Sequence, residues 1–115
     1  MKDKLIAVLE AFGYPVMLQG SLNPEQDYPD SFFTFWVFEA NENTHYDNNP
    51  VSCDWGFWVY FYSNDPETVF RVSNEAKKAL KSAGFVTQGK PIDANSDRET
   101  HTGTMLTVYI KEVYD

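Results

Sequence analysis

Residues 51–62 constrain the fold more than any other stretch, because their apolar and aromatic side chains follow a two-residue repeat. Successive side chains of a β-strand point to opposite faces of the sheet. The face predicted to lie against the core carries only apolar side chains: Val51, Cys53, Trp55, Phe57, Val59 and Phe61. The other face mixes large aromatic side chains with small or polar ones: Ser52, Asp54, Gly56, Trp58, Tyr60 and Tyr62. Such a strand predicts a sheet whose two faces differ in chemistry.

Residues 32–38 and 104–112 are predicted as neighbouring strands with the same division. Their core-facing side chains are Phe33, Phe35, Val37, Thr104, Leu106, Val108 and Ile110. Their side chains on the second face are Phe32, Thr34, Trp36, Phe38, Met105, Thr107, Tyr109 and Lys111. Shorter strands are predicted at 16–19 and 85–88. The polar segments 20–31, 41–50 and 89–103 are predicted as loops.

Two segments show helical periodicity. In residues 3–12 the apolar side chains on one side are Leu5, Ile6, Leu9 and Phe12, and Gly13 is a stop signal. A second helix is predicted to begin after Asp65, which suits an N-cap and is followed by Pro66, and to end at Gly84. Residues 1–115 are therefore predicted to form one α+β domain of order α-β-β-β-α-β-β. It has a mostly antiparallel sheet of four to five strands and two helices packed on one face.

Two helices can cover only one face of a sheet this small. The second face is predicted to stay open as a protein–protein interface, because Tyr and Trp combine apolar area with a polar group. The candidate interface residues are Trp36, Phe38, Trp58, Tyr60, Tyr62 and Tyr109. The alternative is that loops 20–31 and 89–103 fold over this face.

The net charge of -8 is unevenly distributed, because no Lys or Arg occurs between Leu5 and Phe70 while ten acidic residues do. An acidic surface repels phosphate backbones, so sequence-specific binding of DNA or RNA is not expected. The asymmetry allows an acidic region of one copy to contact a basic region of the next, although a role in solubility alone is equally open. No apolar run is long enough for a membrane span, so a cytoplasmic protein is expected.

Residues with catalytic or metal-binding chemistry are scattered. His45 stands in the acidic segment 41–50, where a solvated loop is expected rather than a metal site. His101 is predicted at the surface without a nucleophile nearby, and Cys53 falls on the core face, where a thiol is usually inert. Asp54 is expected to be a hydrogen-bonded or interface acid. The sequence predicts no enzyme, cofactor or metal.

Several motifs resemble small proteins encoded in the tail-assembly regions of phages and prophages of Gram-positive bacteria. They are GYPV (13–16), YPDSFFTFW (28–36), YDN (46–48), WGFWVYFYS (55–63) and HTGTM (101–105). The predicted order of elements is also similar to that of tail terminators of long-tailed phages, which are also called tail-to-head joining or tail completion proteins. The resemblance extends over nearly the whole chain.

This resemblance implies a structural protein without catalytic residues. Members of that family form a six-membered ring on the head-proximal end of the tail tube, stop its growth and dock to the head connector. The implied partners are therefore further copies of the chain, the tail tube protein and the head connector protein, with DNA only passing through an acid-lined channel. The implied location is the host cytoplasm during assembly and then the virion tail.

Two alternatives stay open. The chain could be a small acidic inhibitor or immunity-type protein that binds a basic protein, as the acidic stretch suggests. It could also be a hydrolase that uses Asp54 or His45.

Overall fold

The protein contains two helices and one five-stranded sheet in the predicted α-β-β-β-α-β-β order. The computed structural model describes residues 1–19, 28–44, 49–96 and 100–114. The elements are α1 (Lys2–Glu10), β1 (Val16–Leu18), β2 (Ser31–Thr44), β3 (Pro50–Ser63), α2 (Pro66–Ser82), β4 (Val86–Ala94) and β5 (Thr102–Val113). The predicted α+β class is confirmed.

The sheet has the strand order β1-β2-β3-β5-β4 and is mostly antiparallel, as predicted. β2 pairs with β3, β3 with β5, and β5 with β4, all antiparallel, whereas β1 runs parallel to β2. β3 is therefore central and carries the alternation that was read from the sequence. Side chains of β3 therefore have a neighbour on each side: Phe57 lies opposite Val37 of β2 and Val108 of β5.

Both helices pack on the predicted core face of the sheet. Leu5 and Leu9 of α1 and Leu80 of α2 are fully buried there, together with Phe33 and Phe57 of the sheet. Burying each such side chain stabilises the fold by roughly 1.5–3 kcal/mol relative to exposure. Cys53 is buried as well, which confirms its predicted place on this face.

The predicted limits of α2 are confirmed. Asp65 is the N-cap, and its carboxylate accepts hydrogen bonds from the Glu67 amide at 3.2 Å and from the Thr68 hydroxyl at 2.9 Å. The bond from Glu67 satisfies a backbone donor that the first helical turn leaves without a partner. Gly84, just past the helix, has a φ of 99°, a conformation that favours glycine.

Two of the loop predictions are wrong in extent. β2 continues through Thr44 and β3 begins at Pro50, so the ends of segment 41–50 belong to strands; His45 lies outside the described residues. β4 continues to Ala94, although residues 89–94 were predicted as loop. Most side chains in both extensions are exposed, so polar residues can occupy these strands. The same polar composition had led to the loop prediction.

The β2–β3 hairpin and the end of β5 extend beyond the start of β4, which pairs Val86 with Tyr109. We call residues 39–44, 50–56 and 110–114 the distal end of the sheet. Its described charges are four acids and one lysine: Glu39, Glu42, Asp54, Glu112 and Lys111. The acidic stretch of the sequence is thus partly concentrated at one end of the molecule.

Candidate functional site

The middle of the second sheet face is an open aromatic surface. We give this name to Trp36, Phe38, Trp58, Tyr60 and Tyr109. Trp36 lies opposite Trp58 in the register, and Tyr109 lies opposite Gly56. Trp36 is 46% exposed and the other four are half-buried. Five of the six residues predicted for an interface therefore lie together on one accessible surface.

A β-bulge places Phe38 at the centre of this surface. The register with β3 shifts between Val37 and Glu39, so Phe38 is the extra residue. Its ring stacks on Trp58 at 4.9 Å between centroids and meets Tyr109 edge-on at 5.7 Å. Gly56 makes room, because a Cβ there would lie 2.7 Å from Cζ of Phe38. The sequence pattern placed Phe38 on the correct face but did not reveal the bulge.

After the bulge, the odd-numbered residues of β2 lie on the second face, which uninterrupted pairing would have given to the even-numbered ones. Glu39 lies opposite Gly56, Asn41 opposite Asp54 and Asn43 opposite Ser52, so polar side chains of β2 follow the aromatic ones on the same face. The open aromatic surface therefore ends in a polar, acidic border at the distal end.

Asp54 in this border is engaged by neighbours rather than isolated. Lys111 Nζ lies 3.7 Å from one carboxylate oxygen, and Asn43 Nδ2 donates to the other at 3.3 Å. Asn43 also donates to the Ser52 hydroxyl at 2.9 Å. Asp54 is thus a hydrogen-bonded acid, as the sequence suggested, and it has the contacts of a surface ion pair rather than of an isolated general base.

The opposite end of the second face is closed, and this removes Tyr62 from the predicted interface. Tyr62 is only 6% exposed and stacks on Phe32 at 5.3 Å. Tyr28 meets Phe32 edge-on at 5.7 Å. Phe32 itself is buried. We call Tyr28, Phe32, Tyr62 and His101 the closed end. The alternative that loop residues cover this face is thus confirmed here, for residues just before β2.

His101 is part of the closed end, so its predicted surface position is wrong. Its Nε2 lies 2.8 Å from the carbonyl oxygen of Pro29, and its Nδ1 lies 2.9 Å from the Thr100 hydroxyl. A carbonyl can only accept, so Nε2 donates, and in the neutral ring Nδ1 accepts from Thr100. His101 holds the segment before β2 against the sheet, which a polar flanking sequence did not indicate.

Tyr60 on the second face and Tyr114 at the distal end each have a raised pKa. Partial burial raises the pKa of Tyr60, because it disfavours the phenolate. The Tyr114 hydroxyl donates to Glu42 at 2.8 Å, and this hydrogen bond to a carboxylate raises the pKa of Tyr114. Both groups are neutral donors at neutral pH and are suited to hydrogen bonding rather than nucleophilic chemistry.

The described residues contain no group of three or more His, Cys, Asp or Glu side chains that could hold a metal ion. Among the helices of the described chain, none has the length and apolar character that crossing a bilayer requires. A cleft of about 540 Å³ lies beside the open aromatic surface, lined by Glu39, Asp54, Val86, Tyr109 and Lys111 among others. It joins the aromatic surface to its acidic border and holds no convergent catalytic set.

Exposed apolar residues occur outside the predicted interface too, and sequence reasoning missed them. Phe70 on α2 is 62% exposed, and Val86 and Ile92 on β4 are 65% and 57% exposed. Phe70 falls next to the apolar stripe of α2, and β4 was predicted to be shorter than it is.

No model of a known protein family matches this chain, and none of the curated proteins does either.

Proposed function

We propose that this chain is a structural assembly protein of the tail terminator kind, which forms a ring at the head-proximal end of a phage tail and joins the tail to the head. The observation that carries the proposal is the open aromatic surface, an accessible apolar face on a sheet whose other face is covered by two helices. Contiguous exposed aromatic area of this kind is typical of protein contacts. The sequence resemblance supplies the biological setting.

The sheet face is a better candidate for the contact than the sheet edges. β1 is only three residues long, and β4 is interrupted by a register shift between Gln88 and Ile92 that contains Gly89, Lys90 and Pro91. Short strands, bulges, lysine and proline are the features that keep edge strands from pairing with other chains. Face-to-face packing of copies is therefore favoured over edge-to-edge pairing.

The expected strength of self-association is low. Full burial of a large apolar side chain gains roughly 1.5–3 kcal/mol, and most of the open aromatic surface is already half covered, so the surface offers on the order of 5 kcal/mol. Association costs roughly 4–15 kcal/mol before any net affinity remains. Isolated copies would thus associate weakly, and a tail tube that adds contacts would act as the template for the ring.

The charge of the chain agrees with a role in which DNA passes without binding. A net charge of -8 disfavours contact with phosphates. In a ring whose channel is lined by acidic side chains, DNA would move without being held. The head connector and the tail tube protein would then be the lasting partners.

The test is the molar mass in solution by light scattering, with negative-stain images and binding to isolated tail tubes. Closed rings of about six copies, alone or on tubes, are expected. Trp36→Asp should abolish them, whereas Leu18→Asp should not, because Leu18 is equally exposed at 45% but lies outside the open aromatic surface. Absence of rings both in solution and on tubes would refute the proposal.

A second candidate is an acidic inhibitor or immunity-type protein. The acidic distal end, with Glu39, Glu42 and Asp54, favours it. Such a protein would recover a basic enzyme from a pull-down as a stoichiometric complex and would need no self-association. Recovery of tail proteins instead would favour the terminator.

A further inference from the structure

One flank of α2 combines an aromatic side chain with lysines. Phe70, Asn74, Lys77 and Lys81 recur at intervals of three and four residues and so lie on one side of the helix. Asn74 Nδ2 donates to the Phe70 carbonyl at 2.9 Å, which fits this placement. Phe70 is 62% exposed, whereas the apolar side of α2 is buried at Val69, Val72, Ala76 and Leu80. We call Phe70, Asn74, Lys77 and Lys81 the α2 flank.

Among the described residues, the lysines of the α2 flank have no acidic partner. In the described ranges of the chain, the ion pairs are Arg71 with Glu75 and Lys111 with Asp54. Lys77 and Lys81 are in neither. Lys4 of α1 adds to the positive charge at this end of the helical layer, because its Nζ would lie 3.7 Å from a Cβ at Gly84, just after α2.

The open aromatic surface has the complementary chemistry. Along the sheet, Trp58 of this surface is followed on the same face by Glu39 and then Asp54. Glu39 makes no ion pair within the described residues, and its carboxylate accepts only one hydrogen bond there, from Asn41 at 3.0 Å. The α2 flank thus combines an aromatic group with lysines that make no ion pair in the described part of the chain. The second face combines aromatic groups with Glu39, which makes none there either, and with Asp54, which is paired with Lys111.

The spacing of the two surfaces also agrees. A helix rises about 1.5 Å per residue, so Lys77 and Lys81 lie about 10 and 16 Å from Phe70 along α2. A strand rises about 3.3 Å per residue, so the positions of Glu39 and Asp54 lie about 7 and 13 Å from Trp58 along the sheet. Flexible lysine side chains span the remaining difference.

From this match we infer that the α2 flank of one copy docks on the open aromatic surface of the next copy. Phe70 would pack against Trp58 and its neighbours, and the lysines would pair with the acidic border. The two surfaces lie on opposite faces of the sheet, so the contact is head-to-tail, the kind that closes into a ring when the rotation between copies permits. This inference rests on the self-assembly in the proposed function and names the surfaces that carry it.

The experiment exchanges the charges. Glu39→Lys and Lys77→Glu should each raise the dissociation constant of self-association at least about tenfold, because each places like charges in contact. The double variant Glu39→Lys/Lys77→Glu should restore association, and so should an equimolar mixture of the two single variants. Restoration distinguishes pairing from damage to the fold. Light scattering at low and high ionic strength, and binding to tail tubes, give the readout.

Matched controls alter charge or apolar exposure elsewhere. Glu10→Lys and Lys90→Glu make the same changes in net charge and should leave association unchanged. Phe70→Ser should weaken association, whereas Leu18→Ser should not. Thermal unfolding of each variant confirms that it folds.

The outcomes separate the two ideas. If wild-type protein forms rings and both charge reversals form them equally well, the inference is overturned and the ring proposal stands. If single reversals disrupt assembly but the double variant does not restore it, the pairing is also wrong. If the wild-type chain associates neither at low salt nor on tail tubes, the proposed function fails together with this inference.

Discussion

Replacement of Gly103 by alanine probes the packing of the closed end most directly. A Cβ at this position would lie 2.5 and 2.6 Å from two ring carbons of Tyr62 and 3.3 Å from the carbonyl oxygen of Phe61. Contacts under 3.0 Å force one of the groups to move. The Tyr62 ring has little room, because it is 6% exposed and stacks on Phe32 at 5.3 Å and on Tyr60 at 6.1 Å.

The expected loss follows from two opposing contributions. Inserting a methyl group into a packed interior costs about 1–3 kcal/mol. Replacing glycine by alanine in a strand returns roughly 0.5–1 kcal/mol of backbone entropy. Gly103→Ala should therefore lower the free energy of unfolding by about 1–2 kcal/mol and the Tm by roughly 4–10 °C. Urea unfolding with an unchanged m-value gives the measurement.

Gly56→Ala is the matched control, because Gly56 also faces an aromatic ring on the same sheet face. Its added Cβ would lie 2.7 Å from Cζ of Phe38 and 3.1 Å from Cβ of Glu39, but the Phe38 ring is half-buried rather than buried and so has more room than the Tyr62 ring. Its loss should be smaller than that of Gly103→Ala. In a Tyr62→Leu background, Gly103→Ala should become neutral or stabilising. An equal loss with and without the Tyr62 ring would refute the packing explanation.

Three other perturbations test separate features. Ser73→Ala removes the hydrogen-bond partner of the buried Thr104 hydroxyl and should lower the free energy of unfolding by about 1–3 kcal/mol. Adding Thr104→Val should recover much of that loss. Strictly additive losses of the two changes in urea unfolding would contradict this. Asp65→Ala should lower the free energy of unfolding, measured by thermal unfolding, by about 1 kcal/mol. Asp65→Asn should lower it much less, because Asn also caps helices. Equal losses for the two variants would argue against capping. Glu42→Gln should lower the raised pKa of Tyr114, seen by absorbance titration, and an unchanged titration would speak against the hydrogen bond. Because the folded pKa is raised, any stabilisation by this bond is complete below the ordinary tyrosine pKa of 10.0 and is lost as the pH rises through the raised value.

Much of the fold could be predicted because it depends on local patterns. The two-residue repeat of 51–62 assigned Phe57, Val59 and Phe61 to the core face, and all three are buried there. Asp65 and Gly84 marked the ends of α2 through the conformations and hydrogen bonds that helix ends require. These signals act over a few residues, so no tertiary contact was needed to read them.

The candidate site could be predicted only in part. Large aromatic side chains on the second face of the sheet indicated an interface, and five of the six residues do form one surface. Tyr62 and His101 were misplaced, because Tyr62 stacks on Phe32 and His101 contacts Tyr28 and Pro29, which all come from a distant part of the chain. Sequence periodicity says which face a side chain occupies but not whether another segment covers it.

The amino-acid sequence by itself determined the element order, the apolar core face and the acidic half of the chain, since each depends on residue type and short-range spacing. Only the tertiary structure decided the bulge that brings Phe38 over Gly56, the closed end around His101, and the exposure of Phe70 on the other side of the molecule. The physical reason is that strand register and solvent exposure depend on partners far away along the chain. Which surfaces remain exposed to solvent follows from that packing.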